Sequence, residues 1–150
     1  MEGIMVSKDG NTEKYIESKE EVETYVAKLK YSLTKPATKI NFQEKRKVDE
    51  NRQEEYTNKF TIGDLFPDES PKEALKRELN NIMVEDYIET VKDLRYPKRS
   101  DMRVFGKVYK QKDVYIKIRV EIISDDYIFV MSFHYSTRSF SDETFPYKRR

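Results

Sequence analysis

Three runs of β-branched and aromatic residues occupy Arg103–Ser136, with short polar breaks between them. The runs are Arg103–Tyr109, Asp113–Ile123 and Tyr127–Tyr135, separated by Lys110-Gln111-Lys112 and Ser124-Asp125-Asp126. Breaks this short permit only hairpins, so the pattern predicts an antiparallel meander. The middle run alternates strictly. Val114, Ile116, Ile118 and Val120 share one face, and Tyr115, Lys117, Arg119 and Glu121 share the other. One face is therefore expected to be packed and the other to be polar, basic and open. In the third run, His134 shares parity with Ile128, Val130 and Ser132, opposite Tyr127, Phe129, Met131 and Phe133. Alternation alone leaves open which of these sets is core, because a bulge exchanges the two.

Upstream the apolar spacing turns helical. Ser18-Lys19-Glu20-Glu21 has the form of a capping box, and Val22, Tyr25, Val26, Leu29 and Leu33 follow at helical intervals. This predicts a first helix over about Lys19–Leu33, ended by Pro36. Ile40 and Phe42 alternate as in a short strand. Gln43–Glu55 is dense in both charges with only Val48 apolar, and it reads either as a polar helix or as a mobile loop. Phe60–Phe66 suggests a helical turn before Pro67. Ser70-Pro71-Lys72-Glu73 signals a second helix over about Pro71–Asn81, with Ala74, Leu75, Leu79 and Ile82 on one face. Val84–Asp93 reads as a further turn or helix. Residues 1–17 read as a flexible arm or an edge extension. The tail, 137–150, is polar with spaced aromatics (Phe140, Phe145, Tyr147) expected to pin it along the sheet or the first helix. Together these elements predict an α+β fold in one domain over 1–150. N-terminal helices would pack on one face of a C-terminal antiparallel meander.

Composition narrows the class. The absence of cysteine excludes disulfides, thiolate nucleophiles and cysteine zinc sites, and it fits a cytoplasmic location. No apolar run reaches membrane length, and the first residues lack the apolar core of a signal peptide, so no membrane partner is expected. Charged residues make up 38% of the chain, yet the net charge is only +1, so the distribution matters more than the total. Lys92–Arg119 holds ten Lys or Arg against three Asp. A basic patch on a balanced chain suits a polyanion, with RNA or DNA first, although lysines also protect strand edges.

The chain has no phosphate loop, no dinucleotide fingerprint and no nucleophile elbow, and no cofactor is implied. One histidine and scattered carboxylates disfavour a metal site, so no metal ligands are assigned. Chemistry on RNA needs no metal, because the ribose 2′-OH is an internal nucleophile. His134, the single histidine, is a candidate general acid or base, and Tyr115 a candidate site residue. Each would otherwise be a packed strand residue. Lys117 and Arg119 share Tyr115's face and suit phosphate. Arg99, Arg103 and Lys107 suit it more weakly.

The order of these motifs resembles a family. Asp113-Val114-Tyr115-Ile116-Lys117-Ile118, followed by Ile128–His134, is similar to the signature of MqsR-type toxins, bacterial mRNA interferases with a RelE-like fold. Glu85-Asp86-Tyr87, Phe105–Tyr109, Leu29–Leu33 and Phe145–Lys148 fall in the family's order. The resemblance covers about Val22–Lys148. It implies a metal-independent endoribonuclease acting on mRNA, on or off the ribosome, with a cognate antitoxin as partner. Tyr115 falls on the family's catalytic tyrosine, and His134 falls where the family has a catalytic lysine. The family's catalytic glutamine falls on or beside Gly106, where Lys107 or Arg103 would have to substitute. Its helix lysine falls near Glu89 or Lys92, and only Lys92 keeps the charge. The competing expectations are the same fold without catalysis, binding RNA or protein, and a mobile-element accessory protein.

Overall fold

Residues 3–121 and 126–148 are described by the computed structural model. Ile122–Asp125, which hold most of the second predicted break, and Arg149-Arg150 of the tail lie outside them. Among the described residues the strands are β1 (Met5–Val6), β2 (Thr12–Tyr15), β3 (Lys39–Phe42), β4 (Tyr87–Asp93), β5 (Met102–Tyr109), β6 (Lys112–Glu121) and β7 (Tyr127–Tyr135). The helices are α1 (Lys19–Thr34), α2 (Asn58–Leu65) and α3 (Pro71–Leu79). The architecture is mixed α and β, with one sheet in the order β1-β2-β4-β5-β6-β7-β3. Its pairs are antiparallel except β3 with β7.

Local chemistry accounts for the elements. Ser18 caps α1, its hydroxyl accepting from the Glu21 N–H at 3.2 Å while the Glu21 carboxylate accepts from the Ser18 N–H. Lys35, which precedes Pro36, is extended and ends the helix. The β5–β6 hairpin closes through Lys110 and Gln111 alone, with Tyr109 paired to Lys112. Both turn residues have positive φ, 50° and 68°, the geometry a two-residue hairpin needs to match strand twist. α3 starts with Pro71 as predicted, but the Ser70 side chain makes no capping bond.

Three expectations are corrected. Residues 12–15 are not a flexible arm: they form a strand on β4, with Lys14 opposite Val91, so the edge-extension alternative describes them. Val84–Asp93 is not helical beyond its first three residues. It becomes β4, because Tyr87, Thr90 and Val91 must reach buried positions on both faces of a strand. The sheet is therefore not confined to the C-terminal part of the chain.

One core cluster contains Val22, Tyr25, Val26 and Leu29 of α1, Leu75 and Leu79 of α3, and Val114, Ile116, Ile118 and Val120 of β6. The Tyr25 hydroxyl accepts from the Val120 N–H at 3.1 Å within it. In β7 the register slips. Lys117 pairs with Ser132 but Ile118 pairs with Val130, which leaves Met131 as the extra residue of a bulge. The slip lets Ile128, Val130, Phe133 and Tyr135 all serve the core, and it sends Ser132 and His134 to the face of Tyr115 and Lys117.

Candidate functional site

The face that carries Tyr115 and Lys117 is not open. Residues 43–57 form a loop over it, and the tail lies over its other part. The loop is tied at both ends to the outer edge of β7. Gln43 N–H donates to Val130 O at 3.0 Å. Asn58, fully buried at the start of α2, donates to Gln43 O (2.7 Å) and Met131 O (2.8 Å) and accepts from Phe133 N–H (2.9 Å). Between these anchors Lys47–Asn51 makes a short 3-10 turn, with Arg46 at its start and Arg52 at its end. The turn is closed by Arg46 N–H donating to the Asp49 carboxylate at 2.9 Å.

Beneath the loop lies a recess of about 260 Å³. Its walls are Arg46, Arg52, Tyr115, Lys117, Ser132 and His134, with Ser136 and Thr137 at one side. Tyr115 and His134 are direct cross-strand partners, and their rings stack with centroids 5.5 Å apart at 22°. Arg46 Nη1 donates to Ser132 Oγ at 3.3 Å. Among the described residues neither Arg46 nor Arg52 has a carboxylate within ion-pair distance, and Arg52 Nη1 is buried without a hydrogen-bond partner.

Burial sets the protonation states. The His134 imidazole is pushed down to about 4, first by desolvation and then by Arg52 and Arg46, against the opposing bond to Tyr135. It is neutral at pH 7. Its Nδ1 lies 2.9 Å from the carbonyl oxygen of Tyr135, which can only accept, so the proton sits on Nδ1 and Nε2 keeps its lone pair. Lys117 is pushed down to about 8 by burial and then by Lys14 and Arg46. Tyr115 is pushed up to about 12 by burial and by Glu89, so it stays a hydroxyl donor. The recess thus joins two guanidinium groups, an ammonium near its titration point, a neutral imidazole and a phenol. That set can bind an anion and exchange protons with it.

The other sequence candidates lie elsewhere. Lys107 donates to Asp86 (3.0 Å) and to Asn81 O (3.1 Å), and by register it shares the face of Val114. Arg103 binds Glu17 through Nε (2.7 Å) and Nη2 (3.1 Å) and lies over the Tyr25 ring. Arg119 is on Tyr115's face but buried, paired with Glu121 at 3.0 Å and stacked over Phe129. Arg99 sits over Tyr96 in the connection between β4 and β5. Lys92 lies opposite Glu13 in the register of β4 with β2 and alternates away from Glu89. None of the five lines the recess. Gly106 is sealed: a Cβ there would meet the Phe140 ring at 2.6 Å and the Phe145 ring at 3.0 Å.

Arg46 and Arg52 escaped the sequence reading because a segment without periodicity cannot be placed on a face. The only signal was an unbroken cationic run, Lys45-Arg46-Lys47, followed by Arg52. No family model, curated protein or solved structure matches the chain. Among the described residues no group of three or more His, Asp or Glu is placed to hold a metal ion, and no helix is long and apolar enough to cross a membrane.

Proposed function

We propose that this protein is a metal-independent endoribonuclease, and that the recess beneath loop 43–57 holds the scissile phosphodiester. The observation that carries the reading is the pair of guanidinium groups without carboxylate partners above the stacked Tyr115 and His134. Both side chains are half-buried, Asp49 attracts Arg46 only from beyond ion-pair distance, and a bound anion would supply the partner that the buried Arg52 Nη1 lacks. In this reading Arg46, Arg52 and the charged Lys117 clamp the non-bridging oxygens. His134 Nε2 takes the proton of the 2′-OH as its oxygen bonds to phosphorus. The bond from phosphorus to the 5′-oxygen breaks, and the Tyr115 hydroxyl supplies that oxygen's proton. The products are a 2′,3′-cyclic phosphate and a 5′-hydroxyl.

The finer reading follows from the sequence resemblance: a RelE-like toxin that cleaves mRNA in the bacterial cytoplasm and is silenced by an antitoxin covering the recess. A second reading keeps the anion site without cleavage, as an RNA- or protein-binding module. Two features favour it. The tail rings over Gly106 leave no room there for the side chain that the family uses, and an imidazole near 4 is a weak base.

The deciding experiment is cleavage of a defined mRNA by purified protein in excess EDTA, wild type beside His134→Ala and Arg46→Ala/Arg52→Ala. Wild-type cutting, reduced roughly 10²–10⁴-fold by His134→Ala, is the expected result. RNA binding without cutting, on or off ribosomes, would move the protein to the second reading.

A further inference from the structure

A second cavity, of about 420 Å³, meets the recess around the end of β7, where the two share Ser136 and Thr137, and Tyr135 lines it from the face opposite His134. The shared residues form a sill fastened at Ser136. Ser136 N–H donates to Asp113 O at 2.8 Å, and the Ser136 hydroxyl donates to Arg138 O at 2.6 Å. Beyond the sill the walls differ in kind from those of the recess. Tyr56, Phe60 and Tyr135 contribute aromatic surface, and Phe60 is 37% exposed. Lys112 and Arg138 are balanced there by Glu55 and Asp113, whereas the recess has three cations and no lining carboxylate. Phe60 is held edge-on to Tyr135 at 6.4 Å, and Lys112 lies over the Tyr135 ring at 4.8 Å. A charge-balanced aromatic chamber beside a cationic one fits a ligand whose neutral, flat part is joined to an anion. Its volume lies within the range of roughly 300–1,000 Å³ usual for small-ligand sites.

We propose that the cavity walled by Tyr56, Phe60 and Tyr135 is a nucleobase subsite that takes the unpaired base next to the phosphate bound in the recess. The inference rests on the phosphodiester reading of the recess. It makes the substrate single-stranded RNA, because only an unstacked base can leave its neighbours to enter the chamber. Phe60 supplies the stacking face. Recognition through stacking tolerates all four bases, and Gln111 at the chamber wall, whose amide both donates and accepts, is one group able to read a base edge.

The test uses the full chain and fluorescence anisotropy with a fluorescein-labelled 2′-O-methyl decauridylate, which binds but cannot be cleaved. An abasic 2′-O-methyl decamer of the same backbone is run beside it. The expected result is that wild type binds the base-bearing strand at least about five-fold more tightly than the abasic one. Phe60→Ala should erase that difference with the abasic affinity unchanged, and Phe60→Tyr should keep it. The unchanged abasic affinity also reports an intact fold. Equal affinities for the two strands in wild type, with both lost in Arg46→Ala/Arg52→Ala, would overturn the base subsite and leave the phosphate recess standing. Failure of both strands to bind, or binding that survives Arg46→Ala/Arg52→Ala, would overturn the recess reading and the subsite with it.

Discussion

Lys117 and His134 show what burial does to two ordinary side chains. Each sits on a strand face that the loop has roofed, so each loses hydration that favours its charged form. Lys117 keeps its charge at neutral pH only against that loss, and holding it there costs stability. Replacing it with methionine should raise the unfolding free energy by ~1–3 kcal/mol while weakening RNA binding. Denaturant melts and anisotropy on the same sample would check both halves. On the proposed mechanism the two groups also predict a pH profile. His134 must be neutral to accept a proton, so kcat/KM should fall as pH drops through about 4. Lys117 must be charged to hold phosphate, so kcat/KM should fall again as pH rises through about 8. Lys117→Arg, which stays charged, should remove the upper limb and leave the lower one.

At the scale of elements, the loop over the site is placed by one residue of α2. The outer edge of β7 is covered by β3 only through Val130. Beyond the bulge, Asn58 and Thr61 take over, with Thr61 Oγ1 accepting from Tyr135 N–H at 2.9 Å. Asn58 reads the strand backbone as another strand would, and its second donor bond fastens Gln43 at the root of the loop. Asn58→Asp keeps the shape but removes two donors and sets a carboxylate against two carbonyl oxygens. It should destabilise the protein by ~2–4 kcal/mol. Loop 43–57 should also lose protection from amide exchange before the strands do, a pattern that hydrogen exchange would show. Global loss of protection at one common rate would contradict the anchoring role.

Across the whole molecule, one buried group joins the two ends of the chain to the middle. Glu17 is 6% exposed. Its carboxylate accepts from Arg103 and from Thr90 Oγ1 (2.5 Å), and its backbone carbonyl accepts from the Tyr147 hydroxyl. Burial opposes the charge on Glu17, but the bonds from Arg103 and Thr90 outweigh it and hold the carboxyl below its usual range. Tyr147 also stacks on Tyr87 of β4, so the tail, β2 and β4 meet at this point. Arg103→Met should cost ~3–5 kcal/mol by leaving Glu17 buried and unpaired. RNA affinity measured below the melting range should be unchanged, because Arg103 lies outside the recess. A loss of affinity without a loss of stability would return Arg103 to the phosphate-binding group to which charge alone assigned it.

The residues by themselves determined the strands of the meander, α1 with its capping box, the Pro-started α3, and the shared face of Tyr115 and Lys117. These rest on interactions between residues a few positions apart, which spacing and turn chemistry express directly. The meander also brought His134 near Tyr115, but its side of the sheet depended on the bulge at Met131. Only the tertiary structure decided that side, because the bulge exists to satisfy both core packing and the register with β6. The tertiary fold made Tyr87–Asp93 a strand and drew residues 12–15 onto the sheet, because a strand pair draws its stability from a partner distant in sequence. The same distance hid Arg46 and Arg52. A polar segment has no period of its own, and its position over the site comes from Asn58 and from the edge of β7.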